Sequence, residues 1–298
     1  MTSDAKILAN LVKRMRNRHE DPLRPLIDEY LLKRHRSENR YRGDLQNLLE
    51  PPRPGGRLSP STIGGCMRQA AFKFLEVRGR VKLDPDTQVI FDDGNWRHRR
   101  WQTTFLDMQE VLGKQKFEVL STEQHVTIPE LYIAGTSDNT LRMVAQRVRR
   151  KYALDIKGIN DFGFNRLVVD DQPKEEHVDQ LTTYMKAHSI WWGILFYENK
   201  NNQQTRSFVF RFNTERWARV EQWTRQVLAF LEQRKIPPTH PDCERGTFLY
   251  ERCPYAGICF KQDVTRSQIE RYAYRNFVSL EDSWRRGLAS PQQGSQDA

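Results

Sequence analysis

Cysteine is scarce in this chain, with four residues among 298, which argues against a small disulfide-held scaffold. Apolar residues never run on for the roughly 18 positions a transmembrane helix needs, and no basic segment followed by an apolar one opens the sequence. The expectation is a soluble globular protein with no membrane or secretory route. Acidic residues are also short of balance, 38 against 48 lysines and arginines, for a formal charge of +10. Solubility alone would explain such an excess, but it also favours a polyanionic partner, because neutralised phosphates release condensed counterions.

Prolines and glycines are concentrated in one place. "EPPRPGGRLSP", residues 50–60, interrupts any helix and separates a basic extension, with helical spacing in "AKILANLVKRM" and "LRPLIDEYLLKRH", from the main body of the chain. Beyond it, "SPSTIGGCMRQAAFKFL" offers Ser and Thr caps ahead of an apolar helical run. In "FDDGNWRHRRWQTTFLDMQEVLG", Gly94, His98, Trp101, Phe105, Met108 and Leu112 recur at steps of three and four, one face of a helix. Strand patterning occupies 117–157, in "EQHVTIPELYIAG", "SDNTLRMV" and "KYALDIKG". Next come a helix at "EEHVDQLTTYMKAHS", a hairpin of "WWGILFYE" and "RSFVFRF", and a long amphipathic helix, "TERWARVEQWTRQVLAFLEQRK". This order predicts an α/β or α+β domain on a mixed sheet.

Within "KYALDIKG", strand geometry sends Asp155 and Lys157 to one face and Leu154 and Ile156 to the other. An ordinary same-face ion pair is the plain explanation. Asp138 adds to it: if its strand and the next form a hairpin centred near Gln146–Arg147, Asp138 lies directly opposite Asp155. Carboxylates that close repel unless a cation sits between them, and hard oxygen ligands suit Mg²⁺ or Mn²⁺. His98 lies on the apolar stripe of its helix, where a lone histidine is commonly a satisfied core residue. His177, Gln180 and Tyr184 share one side of another helix.

Taken in order, "SPSTIGGCMR", "GNWRHRRWQ", "GTSD", "DIK", "HVDQLTTY" and "CPYAGIC" resemble the motif series of the RecB-like branch of the PD-(D/E)XK nucleases. That branch includes AddB-type, exonuclease V-like and CRISPR-adaptation nucleases. The resemblance runs from Ser59 to Cys259. It implies an α/β, restriction-endonuclease-like core with a mixed central β-sheet flanked by helices, over 58–262. The N-terminal helical extension and linker (1–57) would precede it, and a C-terminal helix and disordered tail (263–298) would succeed it. It implies that His98, Asp138, Asp155 and the backbone carbonyl of Ile156 hold the metal, which polarises a scissile phosphate and lowers the pKa of its water. Lys157 would orient or activate that water, and Gln180 and Tyr184 would position the substrate or the lysine. An imidazole ligand softens the site, so Mn²⁺ is expected to serve better than Mg²⁺. The implied activity is that of a metal-dependent DNA nuclease, an exonuclease preferring single strands. Its alternatives are a structure-specific endonuclease and a non-catalytic DNA-binding or scaffolding member of the fold. A degenerate member would be expected to have lost an acid or the lysine, and Asp138, Asp155 and Lys157 are all in place. The absence of helicase motifs points to a stand-alone, cytoplasmic enzyme, prokaryotic or viral in its host.

The resemblance also implies an iron–sulfur staple, with one cysteine ahead of the nuclease motifs and three behind them. Cys66, Cys253 and Cys259 match that pattern; Tyr250 stands where a further cysteine is expected, and Cys243 lies ten residues before Cys253. Three readings stay open: a [4Fe–4S] cluster with an altered loop, a zinc site of all four thiolates, or buried thiols left after cluster loss. For DNA contacts, Lys13, Arg14, Arg16, Arg18, Lys33, Arg34 and Arg36 could line a groove or a solvated face. Arg68, inside a motif of the resemblance, is the better phosphate ligand. Trp96, Trp101, Trp191 and Trp192 could stack on bases, though most are better explained as core.

Overall fold

A computed structural model describes residues 55–78, 85–145, 148–251, 253–260 and 264–289. The chain divides into two units, 1–49 with 83–93, and 50–82 with 94–298. Of the first, only 85–93 is described, as the opening turns of a helix, so the basic N-terminal residues Lys13 to Arg36 lie outside the described residues.

In the second unit, five strands form one mixed sheet in the order β1 (Phe117–Ile128), β2 (Ile133–Ala145), β3 (Val148–Ile159), β4 (Trp192–Asn199) and β5 (Thr205–Arg211). β1, β2 and β3 form an antiparallel meander, β4 runs parallel to β3, and β5 returns antiparallel. A parallel step needs a crossover, and two helices supply it: α3 (Asp161–Asp170) and α4 (Glu175–Ala187), after α1 (Met67–Phe74) and α2 (Pro85–Leu112) earlier in the chain. After β5 come α5 (Thr214–Glu232), the short α6 (Phe248–Glu251) and α7 (Ala256–Cys259), α8 (Arg266–Ala273) and α9 (Leu280–Ala289). This is the α/β, helix-flanked mixed sheet expected from the sequence.

Several boundaries differ from the sequence pattern, each for a local reason. "EQHVTIPELYIAG" is not one strand: Pro129 opens a 3₁₀ turn and Tyr132 takes a left-handed φ of 51°, so the chain reverses there. Asp138 consequently sits within β2 rather than at a strand start. α3 has no counterpart in the periodic pattern; Asn160 caps it by accepting from the Gly163 amide at 2.9 Å. The C-terminal segment holds two helices, α8 and α9, instead of one; a reciprocal Thr265–Gln268 capping box begins α8.

The two faces of the sheet carry separate cores. On one, Val178, Leu181 and Met185 of α4 pack on Ala153, Leu195 and Tyr197. A Cβ at Gly193 would stand 2.6 Å from the Met185 sulfur and 2.8 Å from Leu181, so the missing side chain is what lets α4 lie on β4. On the other face, Phe105 with Trp101 and Met108 of α2 covers Leu141, Tyr152, Leu154 and Ile156. The predicted apolar stripe of α2 thus holds at its centre, while Leu112 is 40% exposed. A third core joins Leu58, Phe72 and Phe74 to α5 and to Ile269, Tyr274 and Leu280.

Candidate active site

The β2–β3 register pairs Ala145 with Val148 and Asn139 with Leu154, and the next position sets Asp138 opposite Asp155. Both are buried, at 7% and 1% exposure. Beyond Asn139 the ladder is continued by a side chain: the Ile156 N–H donates to Asp138 Oδ2 at 2.6 Å. The other oxygen, Oδ1, lies 3.1 Å from His98 Nδ1. Ile156 buries its side chain on the α2 face and enters the site through its backbone.

On β1, Thr122 pairs with Asn139 and Gln124 with Ser137, which puts Glu123 opposite Asp138 from the other side. Glu123 takes a left-handed φ of 48°. One ligand atom each from His98, Glu123 and Asp138 lies within 4.8 Å of the others, the only such group of three or more among the described residues. Gln102, one turn beyond His98 on α2, donates its side-chain amide to Glu123. Glu123 is absent from the candidates that the sequence offers, although the β1–β2 register leads to it directly once the turn at Pro129–Tyr132 is known. A nitrogen with two carboxylates is a donor set that fits Mg²⁺ or Mn²⁺.

Asp155 faces Lys157 instead. Nζ donates to Oδ1 at 3.1 Å; Oδ2 is also only 2.9 Å away but lies off the hydrogen-bonding direction, leaving a buried carboxylate oxygen with no hydrogen-bond donor. The ammonium also donates to Gln180 Oε1 at 2.9 Å, and the Gln180 amide donates in turn to the Tyr184 hydroxyl at 2.9 Å. The structure therefore brings His98, Asp138, Asp155, Ile156, Lys157, Gln180 and Tyr184 into one contiguous cluster. His177 stands one turn before Gln180 but bonds the Tyr197 hydroxyl at 2.7 Å.

Electrostatics separates the two aspartates. Burial raises Asp155, the negative Asp138 adds to that, and Lys157 only partly offsets them, so its pKa stands at about 6. Burial acts the same way on Asp138, but His98, Lys157 and the Ile156 amide overcome it and hold its pKa below the ordinary carboxylate value. Burial opposes the imidazolium of His98, and the charge and hydrogen bond of Asp138 with the charge of Asp155 outweigh it, so its pKa is raised. His177, desolvated and facing Lys157 and Lys174, is driven down to about 3 and stays neutral.

α2 is braced against the sheet beside this cluster. Glu198 of β4, fully buried, accepts from Arg97 at 2.6 Å, from Arg100 at 2.5 Å and from the Trp101 indole. Arg97 crosses Gly158, where a Cβ would approach its Nε to 2.8 Å. The residue after Lys157 must be small for α2 to carry His98 to Asp138.

The four cysteines gather elsewhere. All are free thiols and half-buried. Burial, then the charges of Cys253 and Cys66, push the Cys243 thiol up; burial chiefly raises Cys253, with Cys66 adding; burial takes Cys259 to about 11 despite Arg68, so the four are electrostatic neighbours. No three of the sulfurs lie within 4.8 Å of one another, whereas a tetrahedral zinc site with Zn–S near 2.3 Å needs them about 3.8 Å apart. Arg68 is occupied here: its Nε donates to the Pro237 carbonyl at 2.7 Å and its guanidinium reaches Cys259. Of the four tryptophans considered for base stacking, Trp101 and Trp192 pack against core, while Trp96 and Trp191 are 55% and 60% exposed.

No described helix is long and apolar enough to cross a membrane. No family model matches the chain, and no curated protein does. Among solved structures it is similar to the alkaline exonuclease LHK-Exo of Laribacter hongkongensis, at 14% identity over 60% of this chain and 89% of that one, with a TM-score of 0.38. It is also similar to SSO0001, at 14% identity over 83% and 100% of the two chains and a TM-score of 0.40. A phage-related exonuclease from Haemophilus somnus 129PT is similar at 11% identity over 68% and 92%, with a TM-score of 0.36. All three are distant likenesses.

Proposed function

We propose that the chain is a divalent-metal-dependent deoxyribonuclease that hydrolyses single-stranded DNA from its ends. One observation carries the reading: adjacent strands bring Glu123, Asp138 and Asp155 into register, with His98 on one side and an ammonium held by Gln180 on the other. His98, Glu123 and Asp138 would hold the ion, with the Asp155 carboxylate beside it. When bound, the ion would polarise the scissile phosphate and make hydroxide accessible at neutral pH. Lys157 offsets the charge that builds on the phosphate and donates to the attacking oxygen. Asp155, buried beside Lys157, is placed to take the proton released. Gln180, oriented by Tyr184, keeps the ammonium aimed at that position.

The test uses single-stranded DNA labelled at one end or the other, with Mg²⁺, Mn²⁺ or EDTA, beside Asp155→Ala. Metal-dependent loss of full-length substrate that the variant abolishes is expected, and the label pattern gives polarity. Equal binding by both proteins with intact DNA under every metal would leave a binding module and end the catalytic reading.

The same reading extends to a [4Fe–4S] cluster on Cys66, Cys243, Cys253 and Cys259. It is supported by four neighbouring thiols set wider than zinc requires. Protein purified without oxygen should contain iron and sulfide in equal amounts and a visible absorbance that dithionite bleaches. Stoichiometric zinc with no iron would replace the cluster by a zinc site.

A further inference from the structure

At the sheet end remote from the carboxylates, the beginnings of β3 and β4 and the end of β5 frame a cleft of about 560 Å³. Arg150, Lys151, Trp191, Trp192 and Arg211 line it, and no acidic residue does. Register explains the gathering: Trp192 pairs with Tyr152 on β3 and with Arg211 on β5, so the basic start of one strand meets the basic end of another across a tryptophan. Arg150 lies over the Trp192 ring at 4.7 Å and is fixed by it. Lys151 and Arg211 are exposed and make no ion pair among the described residues. Trp191 is 60% exposed, although its backbone is tied to Phe212 by a 2.9 Å hydrogen bond and its ring meets Phe212 edge-on at 6.0 Å.

We infer that this cleft is a second contact site for single-stranded nucleic acid, in which a base stacks on Trp191 and the flanking phosphates engage Lys151 and Arg211. Unpaired cations alone would suit any polyanion. An indole 60% exposed beside them is the feature an unpaired base satisfies and a carboxylate does not. Asp155 pairs with Leu195, three residues beyond Trp192, so the cleft and the proposed active site are built on the same two strands about 10 Å apart along β4. The inference rests on the nuclease reading for its role though not for its chemistry.

The experiment titrates the full chain in EDTA with an oligothymidylate of about 20 nucleotides, longer than a typical single-strand site, reading tryptophan fluorescence and fluorescence anisotropy. Wild type should show quenching, and Trp191→Ala should lose part of it and bind about 5- to 150-fold more weakly. The surface variant Lys151→Gln with Arg211→Gln removes two phosphate contacts and should reduce the salt slope of log K by about 1.4. Polyglutamate that competes as well as the oligonucleotide would overturn the inference in favour of an acidic protein partner. Metal-dependent cleavage is assayed on the same samples. Cleavage by wild type with unaltered binding by both variants overturns the second site and leaves the nuclease reading standing. Absent cleavage with the quenching and the variant losses intact does the reverse.

Discussion

Asp138 is locked by the backbone of Ile156: its Oδ2 takes a strand N–H at 2.6 Å in the place where the β2–β3 ladder would otherwise continue. The carboxylate is therefore part of the sheet as well as of the site. Its other oxygen meets His98. Asp138→Asn retains an acceptor for the Ile156 amide while losing the charge, and should fold normally but lose metal-dependent cleavage. Asp138→Ala orphans a buried donor and should lose a further 1–3 kcal/mol of stability, about that much by the usual cost of an unmade hydrogen bond. Urea unfolding of the two variants separates them; equal stabilities would contradict the lock.

Asp155 should make the protein's stability depend on pH. Its folded pKa, about 6, is raised from an ordinary 3.8, so its contribution to stability is full below the ordinary value and is lost as pH rises through about 6. The loss reaches about 3 kcal/mol at most. His98, also raised, acts in the same direction, its contribution fading as pH climbs above the ordinary imidazole value. Asp138, lowered, acts oppositely, contributing above the ordinary carboxylate pKa and failing only in stronger acid. Asp155→Asn should therefore raise Tm in EDTA at about pH 8 more than at about pH 5, while abolishing cleavage. Mn²⁺ should raise the wild-type Tm more at the higher pH, because protons no longer compete for the ligands. A Tm difference independent of pH would refute the assignment.

Lys157 depends on Gln180 for its aim. Lys157→Ala should reduce cleavage by about 10²- to 10⁴-fold, the usual range for a positioned proton-transfer group. Lys157→Arg should not restore it, since a planar fork does not replace a point charge seated between a carboxylate and an amide. Gln180→Leu removes the guide and keeps the ammonium; a fall of about 10- to 100-fold in kcat with little change in KM is expected. A change confined to KM would move Gln180 to substrate binding.

Asn139, beside Asp138, is wholly buried, and neither atom of its amide has a hydrogen-bond partner among the described residues. Its register partners are Thr122 and Leu154. Replacing it with Leu, close in shape, should stabilise the protein by about 1–3 kcal/mol, the cost of a buried polar group left unmade. Thermal unfolding decides this; a destabilised variant would place a polar partner, such as an ordered water, at that amide.

The pattern of residues alone placed the sheet, the helices on its faces and most of the proposed site. Alternation in "KYALDIKG" put Asp155 and Lys157 on one face, and a hairpin symmetric about 146–147 put Asp138 opposite Asp155, which the β2–β3 pairing reproduces. Helical spacing put His98 on the inner side of α2 and Gln180 and Tyr184 together on α4. These are short-range regularities, set by periods of two and about 3.6 that any strand or helix must obey.

Long-range contacts were decided only in three dimensions. Glu123 joins the site because the turn at Pro129–Tyr132 folds β1 back on β2 in the register that sets it opposite Asp138, and that turn is hidden inside an apparently continuous strand pattern. Glu198 binds Arg97, Arg100 and Trp101 across about 100 residues of sequence, and Arg68 turns to Pro237 and Cys259 rather than to the carboxylates. Trp191 stays open while Trp101 is covered, a difference that the shared residue type conceals. Local periodicity fixes which way a side chain points, whereas its partner is chosen by the packing of distant elements, and that choice is made only when the chain closes.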